Sequence, residues 1–268
     1  MAGRAAPVLA ALTAWLPALV TAQVATNRAA LYLDPTAVAD ARALWVNPAG
    51  LAVLYNATVH LDVTVREPGA RGRLRQITAG FGSRGLGFSY QRDRFARDSV
   101  AHTYRLGLAA GTGGLAGGIV WAYYRGIGAK AAGWDVGVVY ALHAAVTVGG
   151  VVANIGEPDV RGVELPLTFV PAVTVAAREF SGSAHARLTG DSVLGYAFTV
   201  RWNARTPAPL GLVARLDTDG GMRRAAFAFG LSVGIRDLVG AVLTTSGDVR
   251  SVDAASLYGV VTRPLEAR

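Results

Sequence analysis

The chain contains no cysteine, and this absence excludes several classes of site. Without thiols it has no disulfide framework, no thiolate nucleophile and no cysteine-based metal site. Charged residues are also scarce at 16%, whereas hydrophobic residues make up 52% of the 268 residues. Such a chain is too apolar to be disordered and is more apolar than an ordinary soluble domain. The composition therefore points towards a membrane.

The sequence also lacks the common catalytic motifs. It has no H-E-x-x-H, G-x-S-x-G or Walker-type run, and none of its four histidines has metal-ligand spacing. The stretches GFGSRG at 80–85 and GTGGLA at 111–116 match glycine fingerprints of dinucleotide sites. Those fingerprints need a helix after the glycines, whereas both stretches run into β-rich sequence. We therefore interpret them as hairpin turns and expect neither an enzyme nor a cofactor nor a metal site.

Acidic residues are outnumbered, with 18 Asp and Glu against 26 Lys and Arg, which gives a formal net charge of +8. A nucleic-acid partner would require these charges to cluster on one face. They are instead scattered along the chain, one or two to each turn or strand end. This scatter is typical of the rims and interior of a membrane protein, and we expect no nucleic acid as a partner.

The first 22 residues have the features of a cleavable signal peptide. Arg4 supplies the positive start, an apolar run covers 5–20, and 20–22 (VTA) place small residues at a cleavage site. An uncleaved membrane anchor is the alternative. Pro7 and Pro17 interrupt the run, which is also short against the about 20 residues that a spanning helix needs. We therefore predict export, and domains at 1–22 (signal peptide), 23–52 (N-terminal segment) and 53–268 (barrel).

Strict alternation of apolar and polar residues marks the stretch 57–66, ATVHLDVTVR. A period of two predicts a strand with one apolar face and one polar face. Just before it, Pro48 lacks an N–H and Gly50 permits unusual dihedral angles, so the chain turns sharply into this strand. The same pattern recurs through the chain. It predicts strands at 73–82, 86–92, 100–109, 115–124, 133–141, 145–153, 172–178, 193–202, 209–216, 222–233, 236–244 and 255–263.

Strands of this length, joined by short turns and carrying one large apolar face, are typical of transmembrane barrels. We therefore predict an all-β fold, a transmembrane antiparallel up-and-down β-barrel of about 14 strands, with about 12 as the lower bound. Two alternatives remain open. The charge-free stretches 106–124 and 136–156 are long enough for membrane helices, and a soluble β-sandwich or lipid-binding barrel would also alternate.

Charged residues on the predicted inner face could line a lumen. They are His60, Asp62, Arg66, Arg75, Arg105, Asp135 and Arg201. Arginines in a lumen favour anions such as carboxylates or phosphates. The alternative is that they pair with the acids and fill a narrow barrel, and His60 and Asp62 are expected to form a hydrogen-bonded pair. Outward aromatic residues could form interfacial girdles, among them Trp121, Tyr123, Tyr124, Trp134, Tyr140, Tyr196 and Trp202.

The stretch 37–52, AVADARALWVNPAGLA, resembles the N-terminal signature of fatty-acid-transporter-like (FadL-like) outer-membrane barrels, and within them the PorV/PorQ-type branch. The resemblance departs at the C-terminus, since those barrels usually end on an aromatic residue and this chain ends TRPLEAR. It implies that 23–52 lies at or in the periplasmic mouth. It also implies that Asn47, Pro48 and Gly50 could plug or gate the pore, although Asn47 and Pro48 could equally only cap and direct a turn.

The resemblance further implies a function. The leading interpretation is a conduit or binding barrel in the outer membrane of a Gram-negative cell, for small hydrophobic or amphipathic molecules. The alternative is a PorV-like scaffold or anchor for secreted or periplasmic proteins. Expected partners are outer-membrane lipid and either a hydrophobic small molecule or such a protein.

Overall fold

The computed structural model describes residues 27–53, 56–66, 73–95, 99–126, 129–160, 162–204, 210–234, 237–246 and 252–263. The predicted signal peptide, the first residues of the N-terminal segment and the last five residues of the chain lie outside these ranges.

The described strands form one closed antiparallel barrel of 14 strands in which every strand pairs with its sequence neighbours and β1 closes onto β14. This confirms the predicted fold class. The strands are β1 (Ala57–Arg66), β2 (Arg73–Ser83), β3 (Leu86–Arg94), β4 (Val100–Thr112), β5 (Leu115–Gly126), β6 (Ala129–His143), β7 (Val146–Ile155), β8 (Thr168–Ala177), β9 (Phe180–Leu188), β10 (Val193–Ala204), β11 (Leu210–Asp219), β12 (Arg224–Gly234), β13 (Leu238–Ser246) and β14 (Ala254–Arg263).

The barrel has two different ends. We call the end where β1 begins and β14 finishes the near rim, and the opposite end the far rim. Four connections at the near rim are two-residue turns: Arg84-Gly85, Gly113-Gly114, Ala144-Ala145 and Arg178-Glu179. At the far rim, residues 156–167 form a long connection between β7 and β8. Both glycine motifs lie at near-rim turns, as predicted.

Large apolar side chains face outwards and small or polar ones face inwards. On β1, Val59 and Leu61 are each 50% exposed, whereas His60 and Asp62 are 1% and 2% exposed. The same alternation recurs on β3, where Phe88 lies outside. The barrel therefore presents a continuous apolar outer wall, and its polar side chains are buried in the lumen.

Two parts of the predicted strand map are wrong. β9 was not predicted, because its outward residues Gly182, Ala184 and Ala186 are too small to give an alternating apolar signal. β8 begins at Thr168, whereas the predicted strand began at 172, after Pro171. Pro171 pairs with Gly150 on β7 but has no register partner on β9. A proline has no N–H to donate, so this local gap on one side lets the strand continue.

The charge-free stretches considered as helices are instead hairpins, β4–β5 and β6–β7. Within the described ranges, no helix is long and apolar enough to cross a membrane. Ahead of β1 lie two 3-10 helices, Arg28–Leu31 and Pro48–Val53, and a one-turn helix α1 (Ala43–Val46). From here on, the N-terminal segment means residues 27–53, which the structure describes.

Candidate functional site in the barrel lumen

The N-terminal segment lies against the inner wall of the barrel. At its start, Asn27 Nδ2 donates to Thr78 Oγ1 at 3.0 Å and to Gln91 Oε1 at 2.7 Å. At its end, the Gly85 N–H donates to the Leu51 carbonyl at 3.2 Å, beside the near rim. Thr78 and Gln91 lie further from the near rim than Gly85 does. The segment therefore runs along the lumen from its middle to the near rim, where β1 begins.

Asn47 joins the segment to itself and to the wall. Its Oδ1 accepts from the Ala49 N–H at 3.1 Å, and its Nδ2 donates to the Pro35 carbonyl at 2.8 Å and the Val138 carbonyl at 3.3 Å. The side chain is fully buried. Asn47 thus makes the local cap expected from its sequence position, and it also bonds to β6, a contact that the sequence did not predict.

Five inner-face glycines leave bare backbone beneath the segment, one on each strand from β3 to β7. These cradle glycines are Gly87, Gly107, Gly118, Gly137 and Gly149. A Cβ on Gly118 would lie 2.5 Å from the Pro48 carbonyl carbon, and a Cβ on Gly107 would lie 2.5 Å from Leu44 Cδ2. Real Cβ atoms do not approach other atoms so closely. The segment can rest on this part of the wall only because these positions lack side chains.

A stacked cluster holds the first half of the segment against β14. The rings of Tyr32 and Tyr258 stack at 5.0 Å, and the Arg42 guanidinium lies 4.8 Å from the Tyr258 ring centre. The Tyr32 hydroxyl donates to Asp62 at 2.9 Å. Arg42 pairs with Asp40 at 2.7 Å. Burial alone would raise the pKa of the Asp40 carboxyl, but the charge of Arg42 and its hydrogen bonds together outweigh burial and hold that pKa below its usual value.

Asp34 connects the segment to the opposite wall. It accepts from Thr199 Oγ1 at 2.8 Å and from Arg201 Nη2 at 3.2 Å on β10. Arg201 also donates to the Tyr32 carbonyl. His185 Nδ1 on β9 lies 3.9 Å from Asp34. Arg201, predicted as a lumen residue, is therefore placed in the lumen and holds the segment.

Arg105 on β4 and Asp135 on β6 form a third attachment. Arg105 Nη1 donates to Asp135 Oδ2 at 2.6 Å and to the Leu44 carbonyl at 2.8 Å, and its guanidinium lies 4.8 Å from the Trp45 ring centre. Asp135 Oδ1 accepts from the Asn154 N–H at 2.8 Å. The structure thus brings these two predicted residues together as an ion pair that also binds the segment.

The other predicted lumen residues lie apart from this pair. Arg75 lies towards the far rim, where it donates to the Arg94 carbonyl and its guanidinium is 4.4 Å from the Phe95 ring centre. Arg66 is exposed at the end of β1. A bulge between Thr64 and Val65 shifts the pairing with β2 at this height, so that Gln76 and Leu74 pair with β1 and Arg75 between them has no register partner on β1.

His60 and Asp62 do not form the expected hydrogen-bonded pair. Asp62 accepts instead from Tyr32 and, at 3.3 Å, from Thr64. The Nδ1 atom of His60 is buried without a hydrogen-bond partner among the described residues, and a Cβ on Gly80 would lie 2.8 Å from it.

A cavity of about 200 Å³ remains between the segment and the wall of β4 to β11. One part of its lining is apolar, with Leu31, Leu33 and Trp45 from the segment and Val151 and Val170 from the wall. The other part is polar and comes mainly from wall strands. Those polar residues are Arg105, Asp135, Asn154, His185, Arg187 and Arg215.

Positive charge exceeds negative charge around the cavity. Arg105 pairs with Asp135, and Arg215 pairs with Asp217 at 2.8 Å, which leaves Arg187 as the excess cation of the lining. Arg187 Nε and His185 Nδ1 are buried and have no hydrogen-bond partner in the described part of the chain. Buried donors without partners are costly. The cavity therefore combines an apolar part with a polar part that contains buried nitrogen atoms without partners.

Sequence reasoning did not identify Asp34, His185, Arg187 and Arg215 as lumen residues. On β9 the only signal is weak, the alternation of His185 and Arg187 with Ala184, Ala186 and Leu188. On β11, Arg215 and Asp217 likewise alternate with Leu216. Tyr124, predicted for an outer girdle, is 7% exposed on the inner face of β5.

No protein-family model matches the chain, and no curated protein matches it. Among solved structures, the barrel is similar to the Ralstonia pickettii toluene transporter TbuX, with a TM-score of 0.58 at 11% identity, over 88% of this chain and 99% of that one. It is also similar to a Pseudomonas aeruginosa FadL homologue, with a TM-score of 0.53 at 10% identity, over 90% of this chain and 98% of that one. At these identities the likeness establishes a shared barrel fold.

Proposed function

We propose that the protein spans the outer membrane and that its lumen binds small amphipathic anions, which the N-terminal segment encloses from the near side. The apolar outer wall supports the membrane location, since Val59, Leu108 and Leu257 are between 50% and 63% exposed. In a soluble protein an apolar surface of this extent would promote aggregation. The predicted signal peptide supports export, and the barrel's likeness to the toluene transporter TbuX supports a conduit.

The unequal rims give the orientation. Barrels of the bacterial outer membrane have short periplasmic turns and longer extracellular loops. The near rim has four two-residue turns and the far rim has the long 156–167 connection. We therefore infer that the near rim faces the periplasm and the far rim faces outwards, with the N-terminal segment on the periplasmic side of the lumen.

The proposed ligand class follows from one observation: the cavity has an apolar lining next to buried nitrogen atoms that have no hydrogen-bond partner among the described residues. Trp45 and Val151 would contact an apolar body, while Arg187 Nε and His185 Nδ1 would bind a carboxylate. A cavity of about 150 Å³ is known to hold benzene, so the cavity of about 200 Å³ suits a ligand of that size. TbuX, which has a similar barrel, is a toluene transporter. For this chain, the excess cation favours a charged relative such as benzoate.

Passage through the lumen requires the segment to move. Attachments at Asn27, Asp34, Asn47 and Leu44 hold it against several strands. A ligand could bind without moving them, but its release to the periplasm would require some to break. Asn47, Pro48 and Gly50 would then act as the gate that the family resemblance implies.

One observation favours the second candidate, a PorV-like scaffold. The segment is so fully bonded to the wall that the lumen need never open, and the barrel would then serve as an anchor for secreted or periplasmic proteins. The two functions differ in ligand binding. A scaffold has no need for an anion in the cavity.

Binding of benzoate and toluene to the purified protein tests the proposal. Both share the ring and only benzoate carries a carboxylate, and Trp45 in the lining provides a fluorescence signal. We expect benzoate to bind more tightly than toluene, and R187Q to remove that preference without affecting toluene. R84Q, at an exposed near-rim turn, is the matched control. Equal binding of both compounds to wild type and R187Q would contradict the anion site.

A further inference from the structure

The outer surface of β3 to β6 carries a row of basic side chains near the far rim. In direct register across the four strands lie Arg92, His102, Arg125 and Lys130. The strand pattern points all four outwards: Arg92, Arg125 and Lys130 are exposed and His102 is half-buried. Neighbouring strands are about 4.8 Å apart, so this basic row extends for about 14 Å around the barrel.

An aromatic row lies directly below the basic row, towards the middle of the barrel. Tyr90, Tyr104 and Tyr123 are in register, with ring centres 5.2 Å and 6.2 Å apart. Tyr90 OH also lies 2.8 Å from His102 Nδ1, which ties the two rows together. The rows are separated by two residues along each strand, or about 6.8 Å.

Below the tyrosines the outer wall becomes fully apolar. The next registered row runs Phe88, Leu106, Trp121 and Trp134. Tyrosine and tryptophan concentrate where the hydrocarbon of a membrane meets its headgroups. The order from apolar wall through tyrosines to bases therefore puts the basic row at headgroup height, since bases within the hydrocarbon would be costly.

The four bases lie side by side on adjacent strands. Arg66 on β1 and Arg224 on β12 are also exposed at the far rim, but outside this row. Four bases within about 14 Å favour one partner that carries more than one negative charge.

We infer that the basic row binds the phosphate groups of a lipid headgroup in the leaflet at the far rim. Arginine binds phosphate through paired N–H groups, and bases at a membrane surface attract anionic lipids. The tyrosine row would contact the start of the acyl chains. This inference rests on the proposed membrane location and orientation, but it is independent of any ligand in the lumen.

Lipid binding to the full protein in detergent tests the inference. The probes are diphosphoryl lipid A and the same lipid with both phosphates removed, counted as bound adducts by native mass spectrometry. We expect wild type to prefer the phosphorylated lipid and R92Q/R125Q to bind it at least about tenfold more weakly. The control R84Q/R178Q removes the same charge from exposed near-rim turns and should bind like wild type. An excess of inorganic phosphate should not displace the lipid.

Three results would overturn the inference: no preference in wild type, equal losses in both double variants, or displacement of the lipid by inorganic phosphate, which would indicate an ion site. If R92Q/R125Q does not fold, R125Q and K130Q singly against R84Q give the same comparison. Failure of the membrane proposal is distinguishable, because wild type would then lack the gel-mobility change on boiling that a folded membrane barrel gives.

Discussion

Arg105 and Asp135 meet at 2.6 Å across an intervening strand, since Arg105 lies on β4 and Asp135 on β6. On the intervening strand β5, Ala122 pairs with Arg105 and Val120 pairs with Asp135. This ion pair, together with the Leu44 carbonyl, fixes the middle of the N-terminal segment to the wall.

Removing both members of this pair should cost less stability than the sum of the two single losses. D135N leaves a buried guanidinium without its carboxylate, and breaking a buried pair costs about 3–5 kcal/mol. We expect R105Q/D135N to lose clearly less than the sum of the single variants, as measured by urea unfolding in detergent. Additive losses would mean that the two residues contribute independently.

A side chain added at a cradle glycine should displace the N-terminal segment, whereas a side chain added at the neighbouring outward glycine should leave the segment in place. G118V would force a side chain against Pro48, and crowding of this kind typically costs about 1–3 kcal/mol. G117V, on the same strand, points outwards, where a Cβ meets only the Gly137 carbonyl at 3.9 Å. We expect limited proteolysis to cut residues 27–53 faster in G118V than in G117V or wild type. Equal cutting rates would show that the segment does not rest on this glycine.

Asn47 should contribute more to the stability of the folded barrel than an ordinary turn residue does. N47A leaves the Pro35 and Val138 carbonyls without their donor, and each buried group left unsatisfied costs about 1–3 kcal/mol. N203A, at an exposed position on β10, is the control. Unfolding midpoints in urea should fall for N47A and stay near wild type for N203A. A similar midpoint for all three would limit Asn47 to a local role.

The Asp40–Arg42 pair should make part of the stability depend on pH. Because the pKa of Asp40 is lowered on folding from 3.8, its contribution is fully present above that value and is lost as pH falls through the lower folded pKa. We expect wild type to lose stability faster than D40N on acidification below about pH 4, and the two curves to run parallel above it. Unfolding temperatures at several pH values measure this. Parallel curves throughout would rule out the contribution.

The sequence predicted which side chains of the barrel point inwards better than it predicted what those side chains contact in the lumen. Alternation at 57–66 correctly assigned Thr58, His60 and Asp62 to the lumen, because a period of two follows directly from strand geometry. The partners of those side chains depend on the path of residues 27–53 through the lumen, which no local pattern encodes. Asp62 therefore meets Tyr32, 30 residues away, instead of His60.

Glycines and small residues account for most of what was missed. Glycine in a strand weakens local β propensity, so Gly107 and Gly118 gave no sign that they lie beneath Leu44 and Pro48. β9 was missed for a similar reason, and with it the cationic lining at His185 and Arg187. The hydrogen bond from Asn47 to Val138 could not be predicted from the stretch 37–52 alone, because the two residues meet only in the folded barrel.

Fractionation of the envelope, combined with gel mobility before and after boiling, tests whether the protein is an outer-membrane barrel. We expect the protein in the outer-membrane fraction, with an unboiled band that runs faster than the boiled one because the folded barrel stays compact in detergent. A soluble periplasmic protein whose band does not shift would contradict it, and the alternating strands would then have to enclose a ligand or a packed core outside any membrane.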